Sequence, residues 1–423
     1  MVYVVFLSLL IDLLAFTMIL PLLPSLLDYY KKNDGPDGLY ASVLRAIGHF
    51  QDVLGAPDKF NSVLFGGFLG SMFSFLQFVI SPIAGGLSDV YGRKPVLLIC
   101  LTGGAVSYFL WAISHNFSVF VLARVVGGLS KGNVSLSMAA ITDVSTSATR
   151  AAGMALVGIA FSLGFIIGPM IGAGFTKWSQ SQQNEWFVVP ATFALALALL
   201  DIGFVCVYFK ETLPTEKRAK SFIDGLNQAL SYINVAALFN FTAVTNLSAK
   251  DTNELRMLGR VYFVYLFLYS GLEFTLSFLT HHVFHYSAMD QGYMFAFIGV
   301  IMAVLQGGWV RRIPPTKVKL AAVWGLLLIV PSFVFIGLSW SKSLFYIGLF
   351  LFAVSTSMVV PCLNTLASQF GAADQKGAVM GIFRSLGALA RALGPIVASV
   401  GKVYFLLGVV KIIKINFCIE YFI

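Results

Sequence analysis

Apolar residues come in long runs cut by short polar or charged breaks. The runs fall at 2–27, 60–87, 95–113, 117–141, 151–175 and 186–209, and again at 260–283, 290–310, 319–338, 343–368 and 377–400. A hydrocarbon core about 30 Å thick needs roughly 20 apolar residues per crossing, at about 1.5 Å of rise per residue. Each run therefore predicts a membrane-spanning helix. The chain reads as an all-α polytopic membrane protein with eleven clear spans. It divides into a six-helix half over 1–209, a linker over 210–259 and a second half over 260–400. Within the linker, Phe222, Ile223, Leu226, Ala229, Leu230 and Ile233 recur at helical spacing, which predicts an interfacial helix. Residues 401–423 form an atypical tail. Lys402, Lys411 and Lys414 interrupt it, and a lysine near a helix centre costs about 2.5 to 3.5 kcal/mol on insertion. We read this tail as something other than the native C-terminus.

Composition sharpens the class. The 423 residues are 58% hydrophobic and 11% charged, against roughly 25% charged in soluble domains, which excludes a soluble fold of this size. The net charge of +9 raises nucleic acid as a partner, but the placement of the basic residues removes it. Loops after even-numbered spans hold Arg93, Lys94, Arg150, Lys210, Lys217, Arg218, Arg256, Arg311, Arg312 and Lys376, and the opposite loops hold far fewer. By the positive-inside rule this basic face is cytoplasmic, as is the N-terminus. Cys100, Cys206, Cys362 and Cys418 lie in apolar stretches without CxxC spacing and read as small core residues. His281 and His285 are one turn apart with no third ligand, which reads as a wet helix end. With no nucleophile constellation, phosphate loop or metal cluster, neither catalysis nor a cofactor or metal is expected.

An internal repeat is visible. Arg150, Met154 and Gly168-Pro169 match Lys376, Met380 and Gly394-Pro395 at the same offsets. Two such halves, related by an axis along the membrane normal, are how secondary transporters place a site at the midplane.

Four segments carry more specific signals. Gly85-Gly86-Leu87-Ser88-Asp89-Val90-Tyr91-Gly92-Arg93-Lys94-Pro95 is a tight turn whose acid can sit at the positive end of a helix. Arg124 is followed by Gly127 and Gly128, and span five carries Gly164, Gly168-Pro169, Gly172 and Gly174. Small residues at four-residue spacing let helices approach closely. Glu211-Thr212-Leu213-Pro214 follows span six. Together these segments resemble the major facilitator superfamily: its signature loop, with Val90 where a basic residue is usual, its Arg-x-x-x-Gly element, the glycine motif of drug antiporters, and its Pro-Glu-Thr-Leu segment with Lys210 in place of the proline. The glycines alone read equally well as plain packing.

The stretches 10–17, 60–67, 130–137, 270–281 and 384–392 resemble a vertebrate branch of that superfamily, itself distantly related to bacterial tetracycline/proton antiporters. What the resemblance implies is the major facilitator fold, two six-helix halves rocking about a central site. The implied function is export of amphiphilic organic anions by alternating access, with protons as the candidate coupling ion. Two other readings stay open: a proton-coupled exporter of cationic or zwitterionic drugs, and a non-transporting receptor or scaffold. The implied partners are a small organic anion and the lipid bilayer, for a monomer in the plasma membrane or an internal one.

Ionisable groups inside spans are expensive and default to functional candidates. They are Asp12, Arg124, Lys131, Asp201, Glu273, Arg384 and Arg391. Asp12 and Glu273 lie near mid-membrane in the first spans of the two halves, and either can exchange a proton as a central cavity changes face. Arg124 and Lys131, and likewise Arg384 and Arg391, are seven residues apart and share a helix face. Cations on both halves suit a carboxylate or sulfate. The competing reading is that these charges only pair to hold the halves together. We take Asp12, Lys131, Glu273, Arg384 and Arg391 as the candidate substrate and ion site, with Arg124, Asp201 and Asn133 secondary. Gly85, Asp89, Gly92, Arg93 and Lys94 are the candidate gating loop, and Gly164, Gly168, Pro169 and Gly172 the antiporter-type motif. Tyr269, Gln306 and Asn364 serve as pocket or interhelical polar residues.

Overall fold

The computed structural model describes residues 1–54, 61–146, 150–179, 186–218, 234–242, 244, 247–367, 369–370 and 376–400. Helices are α1 (Val2–Thr17), α2 (Leu23–Asn33), α3 (Leu39–Leu54), α4 (Asn61–Tyr91), α5 (Arg93–Ala112), α6 (Phe117–Ser130), α7 (Asn133–Val144), α8 (Arg150–Ser179) and α9 (Val188–Tyr208). A short α10 (Val235–Asn240) in the linker precedes α11 (Ala249–Phe284), α12 (Ala288–Gly308), α13 (Val318–Gly337), α14 (Lys342–Ala367) and α15 (Lys376–Val400). Among the described residues, eleven stretches are long and apolar enough to cross a membrane, counting α1 with α2 and α6 with α7 as one each. The interfacial helix expected over 222–233 and the tail over 401–423 lie outside the described residues.

Two spans depart from the uniform runs of the sequence. The first is broken by a 3-10 turn at Leu20–Leu22 that contains Pro21, a residue that lacks a backbone donor and crowds the preceding turn. The fourth, expected as one helix over 117–141, ends at Ser130 and restarts at Asn133. Lys131 N–H donates back to Gly128 O at 3.2 Å, closing the last turn, and Gly132 lies against Ala84 of α4 with no room for a side chain. The seventh span begins at Ala249, well before the expected 260, because Ser248 accepts from Asp251 N–H at 3.0 Å and starts the helix in the polar linker. Ser287 and Asp290 form a reciprocal capping box at the start of α12.

The helices bury three apolar clusters. One is built from α10 to α15 and takes in Phe78 of α4. The other two lie within the first nine helices, one toward each membrane face. The two sets of helices meet along α4 with α15 and along α8 with α12. Toward the face opposite the basic loops the join is tight. Phe278 of α11 sits in the first-half cluster beside Phe65 and Leu69, over Gly66, and Gly292 of α12 meets Ala173 of α8. Cys100 and Cys362 are buried as expected, whereas Cys206 is exposed on the outward side of α9.

Candidate functional site

In the first half, α1, α6, the α6–α7 break and α9 bring Asp12, Arg124, Lys131, Asn133 and Asp201 into the interior, all buried. Breaking the helix at Lys131 releases its side chain toward α1, where Nζ donates to Asp12 Oδ2 at 2.6 Å. The ammonium also lies 4.7 Å from the centre of the Phe16 ring. Phe16 stacks on Phe73 at 5.3 Å, and the Arg124 guanidinium lies 4.4 Å over the other ring. Two cations thus flank an aromatic pair, an arrangement in which each ring face partly offsets a buried charge. Arg124 has no carboxylate partner among the described residues, and its Nε is without a hydrogen bond. Asp12, Arg124, Lys131, Asn133 and the two phenylalanines, with Ser107 and Tyr108, line a cavity of about 20 Å³, room for about one water and far below the volume of a drug-sized ligand.

The second half is different. Glu273 of α11 and Arg384 and Arg391 of α15 are half-buried rather than sealed. Tyr269 Oη donates to Glu273 Oε1 at 3.0 Å, and its ring is stacked on Phe352 at 5.2 Å and 5°. Arg391 is the cation within electrostatic reach of Glu273. Arg384 and Arg391 are in reach of each other and of Tyr262, beside which stands Asn364. Neither arginine has a carboxylate within ion-pair distance among the described residues. Asp12 and Glu273 share no partner, and the Lys131–Asp12 pair lies wholly within the first half. Polar contacts that do cross between the halves are Ser162 Oγ to Gln306 Oε1 at 3.1 Å and His281 Nε2 to Asp28 Oδ2 at 3.2 Å.

The signature loop folds into a third cluster at the basic face. Gly92 has φ +103°, a conformation that suits glycine, and a side chain there would also strike Glu211. Arg93 then opens α5 and binds Asp89 at 2.6 Å, Asp143 at 2.9 Å and Ser88 Oγ at 2.5 Å. Glu211 accepts from the backbone N–H groups of Arg93 at 2.9 Å and Lys94 at 3.2 Å, an anion on a helix N-terminus. Lys94 Nζ donates to Cys206 O at 2.9 Å. The basic residue missing at Val90 is therefore not needed to close the network. Asp143 and Glu211 close it instead. Neither stands out in the sequence as a site residue, although Glu211 belongs to a recognisable segment.

The span-five glycines form a packing seam against α1. A side chain at Gly164 would meet Leu13, one at Gly168 Thr17, and one at Gly172 the Met18 carbonyl. Thr17 Oγ1 is 2.8 Å from both Leu13 O and Gly164 O, and Pro169 lies inside α8. Gly85 meets no neighbour at its Cα and serves by its carbonyl, which accepts from Ser88.

Comparison with known proteins fits this architecture. The chain is 47% identical over 413 residues to human major facilitator superfamily domain-containing protein 10, covering 96% of this chain and 88% of the relative. It superposes on the crystal structure of the human organic anion transporter MFSD10 (TETRAN) with a TM-score of 0.81 at 47% identity, covering 96% of this chain and 94% of that one. It is 26% identical to the class B tetracycline resistance protein of Escherichia coli over 79% of this chain and 78% of the relative. A model of the Major Facilitator Superfamily matches residues 5–395. With eleven apolar spans and these relatives, the chain belongs to the major facilitator superfamily and is a multi-pass membrane transporter.

Proposed function

We propose that the chain exports amphiphilic organic anions by alternating access, with protons as the coupling ion. The observation that carries this reading is the pair Arg384 and Arg391. Both are half-buried at membrane depth, and neither forms an ion pair with a carboxylate among the described residues, Glu273 reaching Arg391 only at longer range. A cation held there without a close counter-charge is costly unless an anion visits it, and guanidinium groups grip carboxylates and sulfates in two-point fashion. That the related human protein is described as an organic anion transporter supports the same substrate class. In the first half Lys131 is matched by Asp12, and Arg124 is sealed over Phe73 beside a cavity with room for about one water, so substrate charge falls to the second half, and the Asp12–Lys131 and Glu273–Tyr269 pairs are the proton-exchanging elements. The same reading takes 1–209 and 260–400 as the moving halves. It places a monomer in the plasma membrane with the N-terminus and signature loop on the cytoplasmic side, an orientation that the distribution of basic loops supports.

The test is flux of labelled p-aminohippurate in proteoliposomes, with and without a pH gradient. Arg391→Ala is expected to lower kcat/KM about tenfold, the loss of one charged hydrogen-bonding partner worth about 1.5 to 3 kcal/mol. Lys131→Ala is expected to abolish the response to the gradient. Unchanged flux in Arg391→Ala at normal insertion removes the cation site, and a gradient response that persists in Lys131→Ala removes the Asp12–Lys131 pair as a proton-exchanging element. A flux indifferent to the gradient keeps the carrier and removes the proton.

A further inference from the structure

Among the charged groups that the first half buries, Asp201 is the acid without a counter-ion. Its relative exposure is 0%, and neither carboxylate oxygen has a hydrogen-bond partner. It lies on α9, which packs against α1, α5 and α8. From α1 it is faced by Ser8, close by but outside hydrogen-bonding geometry, and by Asp12. Lys131 reaches its surroundings from the α6–α7 break. From α5 the neighbouring group is Tyr108. The charged residues of α8, Arg150 and Lys177, stand at its two ends. The site therefore has two carboxyls, Asp12 and Asp201, in reach of one ammonium. Only Asp12 holds it, at 2.6 Å.

An ionised carboxylate with no donor among its neighbours is costly to bury, and protonation removes that cost. We propose that Asp201 is a proton-carrying residue of the transport cycle, protonated while Lys131 is paired with Asp12 and ionised when Lys131 is drawn across to it. The exchange balances. The O–H bond of Asp201 breaks, the proton passes to an Asp12 oxygen where a new O–H bond forms, and Lys131 keeps its charge while changing partner. The summed charge of the three groups is the same before and after, so a sealed site can make the change without importing an ion. Asp12, which takes up the proton, and Lys131 both line the 20 Å³ cavity, which has room for about one water. In the same cavity wall stand Arg124 Nε, a donor, and Asn133 Oδ1, an acceptor, both buried and unpaired, the two contacts such a water needs. The protonated Asp12 that results then releases its proton from the cavity side.

This inference rests on the proposed proton coupling, but its first test needs no substrate. Infrared spectra of the full chain in lipid at neutral pH, taken in a Glu273→Gln background that removes the half-buried acid of the second half, should contain the carbonyl stretch of a protonated carboxylic acid. Asp201→Asn should remove that band and Asp12→Asn should leave it. A band that survives Asp201→Asn overturns the assignment. Should Asp201→Asn fail to insert, Asp201→Glu, which keeps the acid but moves its carbonyl, must shift the band, and an unshifted band overturns the assignment equally. The second test uses p-aminohippurate in proteoliposomes. Asparagine carries no exchangeable acid proton, so in Asp201→Asn the accumulation ratio driven by a pH gradient should fall to one, whereas Asp201→Glu, which keeps the acid, should hold it above one. Gradient-driven accumulation that persists in Asp201→Asn overturns the carrier role. Loss of p-aminohippurate flux in the parent itself would instead count against the substrate class and leave the infrared result standing.

Discussion

Glu211 shows opposing forces at a single side chain. Burial pushes its carboxyl up, but four backbone N–H donors, from Leu213, Arg93, Lys94 and Thr212, outweigh burial and hold it below the ordinary carboxylate range. A carboxyl depressed in the folded state contributes stability that is fully present above its unfolded value, about 4.3, and is lost as pH falls through the folded value. Glu211→Gln keeps the shape and an acceptor oxygen but drops the charge at the start of α5. We expect a loss of about 1 kcal/mol near neutral pH, read as a lower midpoint of thermal unfolding in detergent. The gap between parent and variant should hold steady from pH 8 to pH 6 and close below about pH 4. A gap independent of pH would show that the carboxylate charge is not what holds the loop.

The same logic extends to whole elements, where contact partners decide which small residues matter. Gly172 and Gly174 both belong to the glycine motif of α8, yet their surroundings differ. A side chain at Gly172 meets the Met18 backbone, which cannot swing away, whereas one at Gly174 meets open space. Gly172→Ala should therefore cost about 1 to 3 kcal/mol through overpacking. Gly174→Ala should be neutral or stabilising by up to about 1 kcal/mol, since alanine is the better helix former. Thermal unfolding of the two variants side by side checks the contrast, and equal effects would remove the α1–α8 seam as the reason for the motif. This contrast also marks how far the sequence can be read. The spans were legible because lipid demands about 20 apolar residues per crossing, and the charged candidates because ions at that depth are rare. The break at Lys131 was not, since it lies where Gly132 packs against Ala84 of a different helix, and no run of residues around 131 announces that neighbour. Nor was the asymmetry between a sealed Asp12–Lys131 pair and the half-buried Arg384 and Arg391, because pairing depends on which helices become neighbours.

At the scale of the molecule, alternating access requires the seam on the face opposite the basic loops to open. Two kinds of contact hold it closed. The His281–Asp28 bridge joins α11 to α2, but its side chains are 28% and 49% exposed, and a bridge so solvated is worth about 0 to 1 kcal/mol. Phe278 is 1% exposed and packed in the apolar cluster of the opposite half over Gly66. Emptying such a site costs about 3 to 5 kcal/mol. Because this burial exists only while the seam is closed, the loss falls on the closed state, and each 1.4 kcal/mol is about tenfold in a population. Phe278→Ala should therefore shift the closed-to-open ratio by about a hundredfold or more, and Asp28→Asn by less than about fivefold. Spin labels at exposed Ser42 of α3 and Tyr293 of α12, in a cysteine-free background, should report a longer distance in Phe278→Ala and a distribution close to the parent in Asp28→Asn. The reverse order would mean that the electrostatic latch, and not the aromatic peg, sets the resting state of the transporter.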